Sequence, residues 1–223
     1  MHTMMKTDSQ IRDNVIQEIQ LDSLLEGADV QVVVSDGIVT LTGTVDSYAK
    51  RLAAQEIAHR VAGVLDVAND VRVDTVGRFA RSDTDIARTV RLALEWDVLV
   101  PDHRITSTVA DGWVTLEGTV GLWREREDAE HAVRNLAGVR GVTNLLVVRG
   151  PRVDSDDVKA AIESALKRRA ERVADHIQVA VDAGKVTLTG RVQSWQELQA
   201  VLGTARSVRG VEIVDDHLVI EPY

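Results

Sequence analysis

The chain has 223 residues, is 44% hydrophobic but only 3% aromatic, carries a net charge of −9 and contains no cysteine. Each third of the chain is net acidic, which removes any bulk electrostatic drive toward a phosphate backbone, so nucleic acid is not expected as a partner. The missing thiols exclude a disulfide framework and thiolate chemistry.

The first predicted element is a helix. Thr7-x-x-Gln10 reads as a capping box ahead of the apolar stripe Ile11/Val15/Ile19. A hairpin follows, Val30 to Val45, turning at Asp36-Gly37, a pair suited to a type I′ turn. That turn sets Val34 opposite Val39, Val32 opposite Leu41 and Val30 opposite Gly43, all on one face. A second helix carries Ala54/Ile57/Ala58/Val61 and stops at Gly63. A third strand closes on Val67/Val71/Val73.

The whole series then returns twice. Gly37, Gly112 and Gly184 recur at spacings of 75 and 72 residues, the mark of a repeat. Ser82-x-x-Asp85 and Asp154-x-x-Asp157 open the later copies. Asp111-Gly112 and Ala183-Gly184 turn their hairpins, with Ala183 the weaker residue for φ > 0. Gly43, Gly118 and Gly190 fall inside strands and predict close approach of a helix packing down onto the sheet. The expected fold is α+β: three tandem α-β-β-α-β modules over 1–78, 79–150 and 151–223. Each is a small mixed three-stranded sheet with both helices on one face. The other face of each sheet is left for a neighbouring module, a partner or solvent.

No apolar run approaches the roughly 20 residues that span a bilayer. Met1 to Lys6 leads straight into a polar helix start without an apolar leader segment. The chain as it stands is therefore expected in the cytoplasm, or in the periplasm where an export signal has been removed.

Candidate sites come from positions that repeat. Tyr48, Trp123 and Trp195 begin the three second helices. They are read either as membrane or partner contacts or as side chains stapling the helix to the hairpin. Asn69, Asn144 and Asp216 fall on the apolar face of the third strands. They are polar ligand contacts, or hydrogen-bond partners for a nearby turn or helix end. Lys167, Arg168, Arg169 and Arg172 form the densest basic run, a candidate for phosphate headgroups that the helix dipole also explains. Trp113 has no aromatic counterpart and is assigned to a contact between modules. Glu127-x-x-Glu130-His131 and Asp215-Asp216-His217 do not recur and lack further ligands. No metal, cofactor or catalytic group is expected. Gly37, Gly43, Gly112, Gly118, Gly184 and Gly190 are assigned structural roles.

The hairpin pattern Val-x-x-Gly-x-Val-x-Leu-x-Gly-x-Val spans Val34 to Val45, Val109 to Val120 and Val181 to Val192. Ala62-Gly63-Val64 with Val67-x-Asn69, and Ala137-Gly138-Val139 with Val142-x-Asn144, complete it; the third copy departs with Arg209 and Asp216. In these residues the chain resembles the BON domain, named for bacterial osmotically induced and nodulation proteins, in three tandem copies. The resemblance implies a non-enzymatic, stress-associated protein that binds phospholipid surfaces or envelope partners. It brings no catalytic residues. The alternatives are a cytoplasmic ligand- or ion-sensing scaffold and a holdase-like chaperone using the bare sheet faces.

Overall fold

The computed structural model describes residues 6–75, 77, 80–169 and 176–221. In the first module α1 (Asp8–Leu21) leads into β1 (Asp29–Ser35), β2 (Ile38–Val45), α2 (Tyr48–Arg60) and β3 (Asp66–Val73). The second repeats the order with α3 (Asp83–Trp96), β4 (Ile105–Ala110), β5 (Trp113–Val120), α4 (Trp123–Arg134) and β6 (Gly141–Val148). The third has α5 (Ser155–Arg169), β7 (Ile177–Asp182), β8 (Lys185–Val192), α6 (Trp195–Arg206) and β9 (Ile213–Ile220).

Each module is a separate three-stranded sheet with the second strand in the middle. The hairpin pair is antiparallel, and the third strand runs parallel to the central one. The register is the one the alternation predicts: Val34 faces Val39, Val32 faces Leu41 and Val30 faces Gly43. The other two sheets repeat it, with Ile105 on Gly118 and Ile177 on Gly190. The turn residues Asp36, Asp111 and Ala183 all have positive φ, as a type I′ turn requires.

The interior glycines do a different job from the predicted one. Gly43, Gly118 and Gly190 sit at φ of +124°, +137° and +141°. A Cβ there would overlap the carbonyl oxygens of Asp29, Arg104 and His176 at the start of the neighbouring strand. The close approach is thus strand backbone against strand backbone, not a helix on the sheet.

Helix starts follow their caps. Thr7 and Gln10 form the reciprocal capping box, Ser82 accepts from the Asp85 amide, and Asp154 accepts from the Asp156 amide. In two modules the first helical carboxylate also ties down the hairpin turn. Asp8 accepts from the amides of Asp36 and Gly37 at 2.9 and 3.0 Å, and Asp83 from Asp111 and Gly112 at 2.8 Å each. Ser155 holds the equivalent position in the third module.

Three cores result, one per module, centred on Val39 and Leu41, Val114 and Leu116, and Val186 and Leu188. Both helices of a module cover that face of its sheet. The opposite faces present threonines such as Thr40, Thr42, Thr115, Thr119, Thr187 and Thr189. Trp113 lies on such a face, and among the described residues its ring contact and hydrogen bond are to its own sheet rather than to another module. Its ring covers Gly141, and its Nε1 donates to Thr143 Oγ1 at 2.7 Å.

Candidate functional site

The aromatics that begin α2, α4 and α6 each reach out of their own module. Tyr48 packs against the core of the second module. The Val142 backbone lies at its hydroxyl, and burial, followed by the Glu130 carboxylate, pushes its phenol above the ordinary value. Trp123 packs against both the second and third cores. The guanidinium groups of Arg126 and Arg206 lie over its ring, 5.2 and 5.1 Å from the ring centre, and Arg206 also pairs with Glu127 at 3.8 Å. Trp195 stacks on His59 of the first module, with ring centroids 4.1 Å apart and planes within 12°.

The receiving residues are equivalent as well. His59, Arg134 and Arg206 stand at the same place in the repeat, in the last turn of α2, α4 and α6, and Arg134 is among the charges that act on Tyr48. Module one therefore grips module two, two grips three, and three grips one. Heterologous contacts that close in this way make a ring. The second helices form a triangle, each N-terminus against the basic C-terminal turn of the next, an arrangement that their dipoles favour.

His59 is 6% exposed. Burial holds its imidazole below the ordinary histidine value, partly offset by Asp66. Its Nδ1 is buried without a hydrogen-bond partner. Near it opens a cleft of about 740 Å³ between the first and third modules, lined by Lys6, Ile11, Arg60, Val64, Leu65 and Trp195 among others. At the corresponding place of the first junction stands Arg140, in the position that Leu65 holds here. Its Nε donates to the Val73 carbonyl at 3.2 Å, so a long polar side chain bridges those two modules.

Asn69 and Asn144 brace a helix to an edge strand. Asn144 Nδ2 donates to the Arg126 carbonyl and to Glu130 Oε2, at 2.8 and 3.1 Å, while its Oδ1 accepts from the Leu146 amide. Arg126 returns bonds to the carbonyls of Asn144 and Leu146. Asn69 makes the equivalent bonds to Arg51, Gln55 and Val71, but Arg51 returns only one, from Nη2 to the Asn69 carbonyl, and its Nε is buried without a partner. In the third module Leu198 and Leu202 replace the helix partners, and Asp216 is exposed, accepting from the Leu218 amide. The three positions are thus not brought together around one pocket.

One surface feature lies where the residue type does not recur. At the end of α3, Trp96 is 83% exposed, and Val98 just beyond it is 96% exposed. Leu92, one helical turn before Trp96, and Leu99 are also exposed. The signal was present: Trp96 lies off the buried stripe Ile86/Val90/Leu94. The same corner of the first module carries exposed Leu21 and Leu24. In the third module it carries Lys167 and Arg168, both exposed, Arg168 donating to Ser164 Oγ at 2.9 Å. The side chain of Arg169, and Arg172 altogether, lie outside the described residues.

Glu127 is engaged with Arg206, and Glu130 with Asn144. Asp215 pairs with Lys185 at 2.7 Å, and that hydrogen bond pulls its carboxyl down. Among the described residues no three His, Asp or Glu side chains converge as metal ligands. None of the described helices is long and apolar enough to cross a membrane.

Three small α+β modules, joined through their second helices and carrying exposed corners and a cleft, define a tandem-repeat protein. The chain belongs to the BON domain family, whose model matches residues 7–75, 82–150 and 154–222. It is similar to osmotically-inducible protein Y of Escherichia coli (strain K12), with 29% identity over 142 residues, covering 61% of this chain and 70% of that protein. It is also similar to an uncharacterised protein of the gshII 5′ region in Anaplasma centrale, with 47% identity over 121 residues, covering 49% of this chain and 77% of that protein. Among solved structures, a structural protein of the type III secretion system of Chlamydia trachomatis aligns over 95% of this chain and 92% of its own. Its 14% identity and TM-score of 0.28 carry no argument.

Proposed function

We propose that this is a non-enzymatic protein of the osmotic stress response that associates peripherally with phospholipid surfaces through the first-helix corner of its second module. The observation that carries the reading is the exposure of Trp96 and Val98 at 83% and 96%, beside exposed Leu92 and Leu99. A contiguous apolar patch on a soluble module marks an interaction site. Tryptophan, with its apolar body and polar N–H, suits the membrane–water boundary. The likeness to an osmotically inducible protein supports the stress association.

The ring lends this corner two companions. In this reading the equivalent corners, Leu21 and Leu24 of the first module, Trp96 with its neighbours, and Lys167 with Arg168, meet the surface together. Two apolar corners insert and one cationic corner meets anionic headgroups, each cation adding about 1 kcal/mol near the surface. Tyr48, Trp123 and Trp195 serve in this reading as links between modules, not as the anchor.

Flotation of the protein with vesicles of phosphatidylcholine and phosphatidylglycerol tests it. Replacing Trp96 with Ser should weaken binding about tenfold, the order expected for one large apolar side chain leaving a buried environment. Unchanged flotation of W96S and of Val98→Asp would overturn the reading.

A further inference from the structure

We infer that the cleft between the first and third modules takes a single-chain anionic amphiphile, its aliphatic chain against Ile11, Val64 and Leu65 and its head group at Lys6 and Arg60. The inference goes beyond the surface association above and rests on different residues. The volume of about 740 Å³ falls within the roughly 300–1,000 Å³ typical of small-molecule pockets. It accommodates one chain with its head, not the two chains of a bilayer phospholipid. The walls are mostly apolar, with Val61 and the Trp195 ring completing them.

The sign of the head group follows from which charges are free. Two acids also line the cleft: Asp8, whose carboxylate oxygens accept from the amides of Asp36 and Gly37, and Asp36, whose carboxylate accepts from Ser35 Oγ at 3.5 Å. Lys6 and Arg60 are exposed at the rim and make no ion pair among the described residues. An incoming anion therefore meets two cations that no carboxylate pairs with among the described residues. His59 also lines the cleft, although its unpartnered Nδ1 is buried rather than open to the ligand. A carboxylate and a monoacyl phosphate share the recognising chemistry, an anion on one acyl chain.

The cleft belongs to the one junction that no linker spans. The first and second modules are joined by residues 74–81, the second and third by 149–152, whereas the third meets the first only through space. A ligand seated here touches residues of both, so binding favours the closed ring.

Titration calorimetry on the full chain tests the inference, with sodium dodecanoate, monododecyl phosphate and the uncharged dodecyl maltoside as probes, all below their micelle concentrations. Saturable one-to-one binding of an anionic probe is expected. Dodecanoate alone, or the phosphate alone, would identify the head. The Gln196→Trp variant, which fills the rim from the third module, and the double variant K6A/R60A should each weaken binding at least tenfold. Circular dichroism confirms that they remain folded. Absence of saturable binding, equal binding of dodecyl maltoside, or binding unmoved in Q196W would overturn the inference. Trp96→Ser should leave calorimetric binding intact while lowering flotation, so failure of one reading is distinguishable from failure of the other.

Discussion

Trp195 lies flat on His59, 4.1 Å between ring centroids, and this pair joins the last module to the first. Breaking it should open the ring without unfolding a module, because each module keeps its own core. Trp195→Ala should lower overall stability by about 1–2 kcal/mol, the stacking contribution plus part of the buried ring. Small-angle scattering should show a larger radius of gyration. Trp123→Ala removes the contact with Arg206 at the second junction, but residues 149–152 still tether those modules. Its expansion should be smaller.

Acid should open the same junction. Burial lowers the His59 pKa in the folded ring, so the unfolded or opened state binds the proton more readily. The sign follows from linkage: the contribution is fully present above the ordinary histidine value near 6.5, and is lost as pH falls through the lower folded value. Asp66 opposes the shift without cancelling it. His59→Phe keeps a ring for Trp195 and removes the titration. Its melting temperature should lose the part of the native protein's expected acid-side decline that begins as pH falls below about 6.5. Parallel declines in both proteins would assign the effect to other groups.

The asparagine brace should matter in the second module and not in the third. Asn144→Ala leaves the Leu146 amide and the Glu130 carboxylate without their partner. Unsatisfied, partly buried groups of this kind cost about 1–3 kcal/mol. Asp216→Ala removes one exposed contact to the Leu218 amide and should change stability by less than about 0.5 kcal/mol. Urea melts of the two variants give the comparison.

Much of this was legible in the sequence, and the part that was not has a physical reason. Strand alternation has a period of two, so one apolar face and one turn fix the pairing of Val34 with Val39 and its two repeats. Recurrence also picked out Tyr48, Trp123 and Trp195. It could not say that each touches the next copy, since a repeat reports equivalence and not which copy meets which. The exposed corner at Trp96 was missed because nothing aromatic recurs there: the three copies carry Leu21, Trp96 and Arg168. The cleft needed residues 6–65 and 193–196 in one place, a juxtaposition that exists only after the ring closes. The brace of Asn144 did leave a trace, because Leu198 and Leu202 replace its helix partners in the same copy that carries Asp216.

Two glycines separate backbone strain from helix propensity. Gly118 stands at φ +137°, and a Cβ there would overlap the Arg104 carbonyl. Gly118→Ala forces β4 away from β5, and the cost should exceed the roughly 1 kcal/mol at which a compatible Gly-to-Ala change acts. Gly203 lies within α6 with nothing near the position a Cβ would take. Gly203→Ala should stabilise the third module by about 0.5–1 kcal/mol, since alanine loses less conformational freedom in a helix. Opposite shifts in the denaturation midpoint would place the constraint at Gly118 in the hairpin backbone. A neutral Gly118→Ala would mean that the two strands yield there, and the same tolerance would then hold at Gly43 and Gly190.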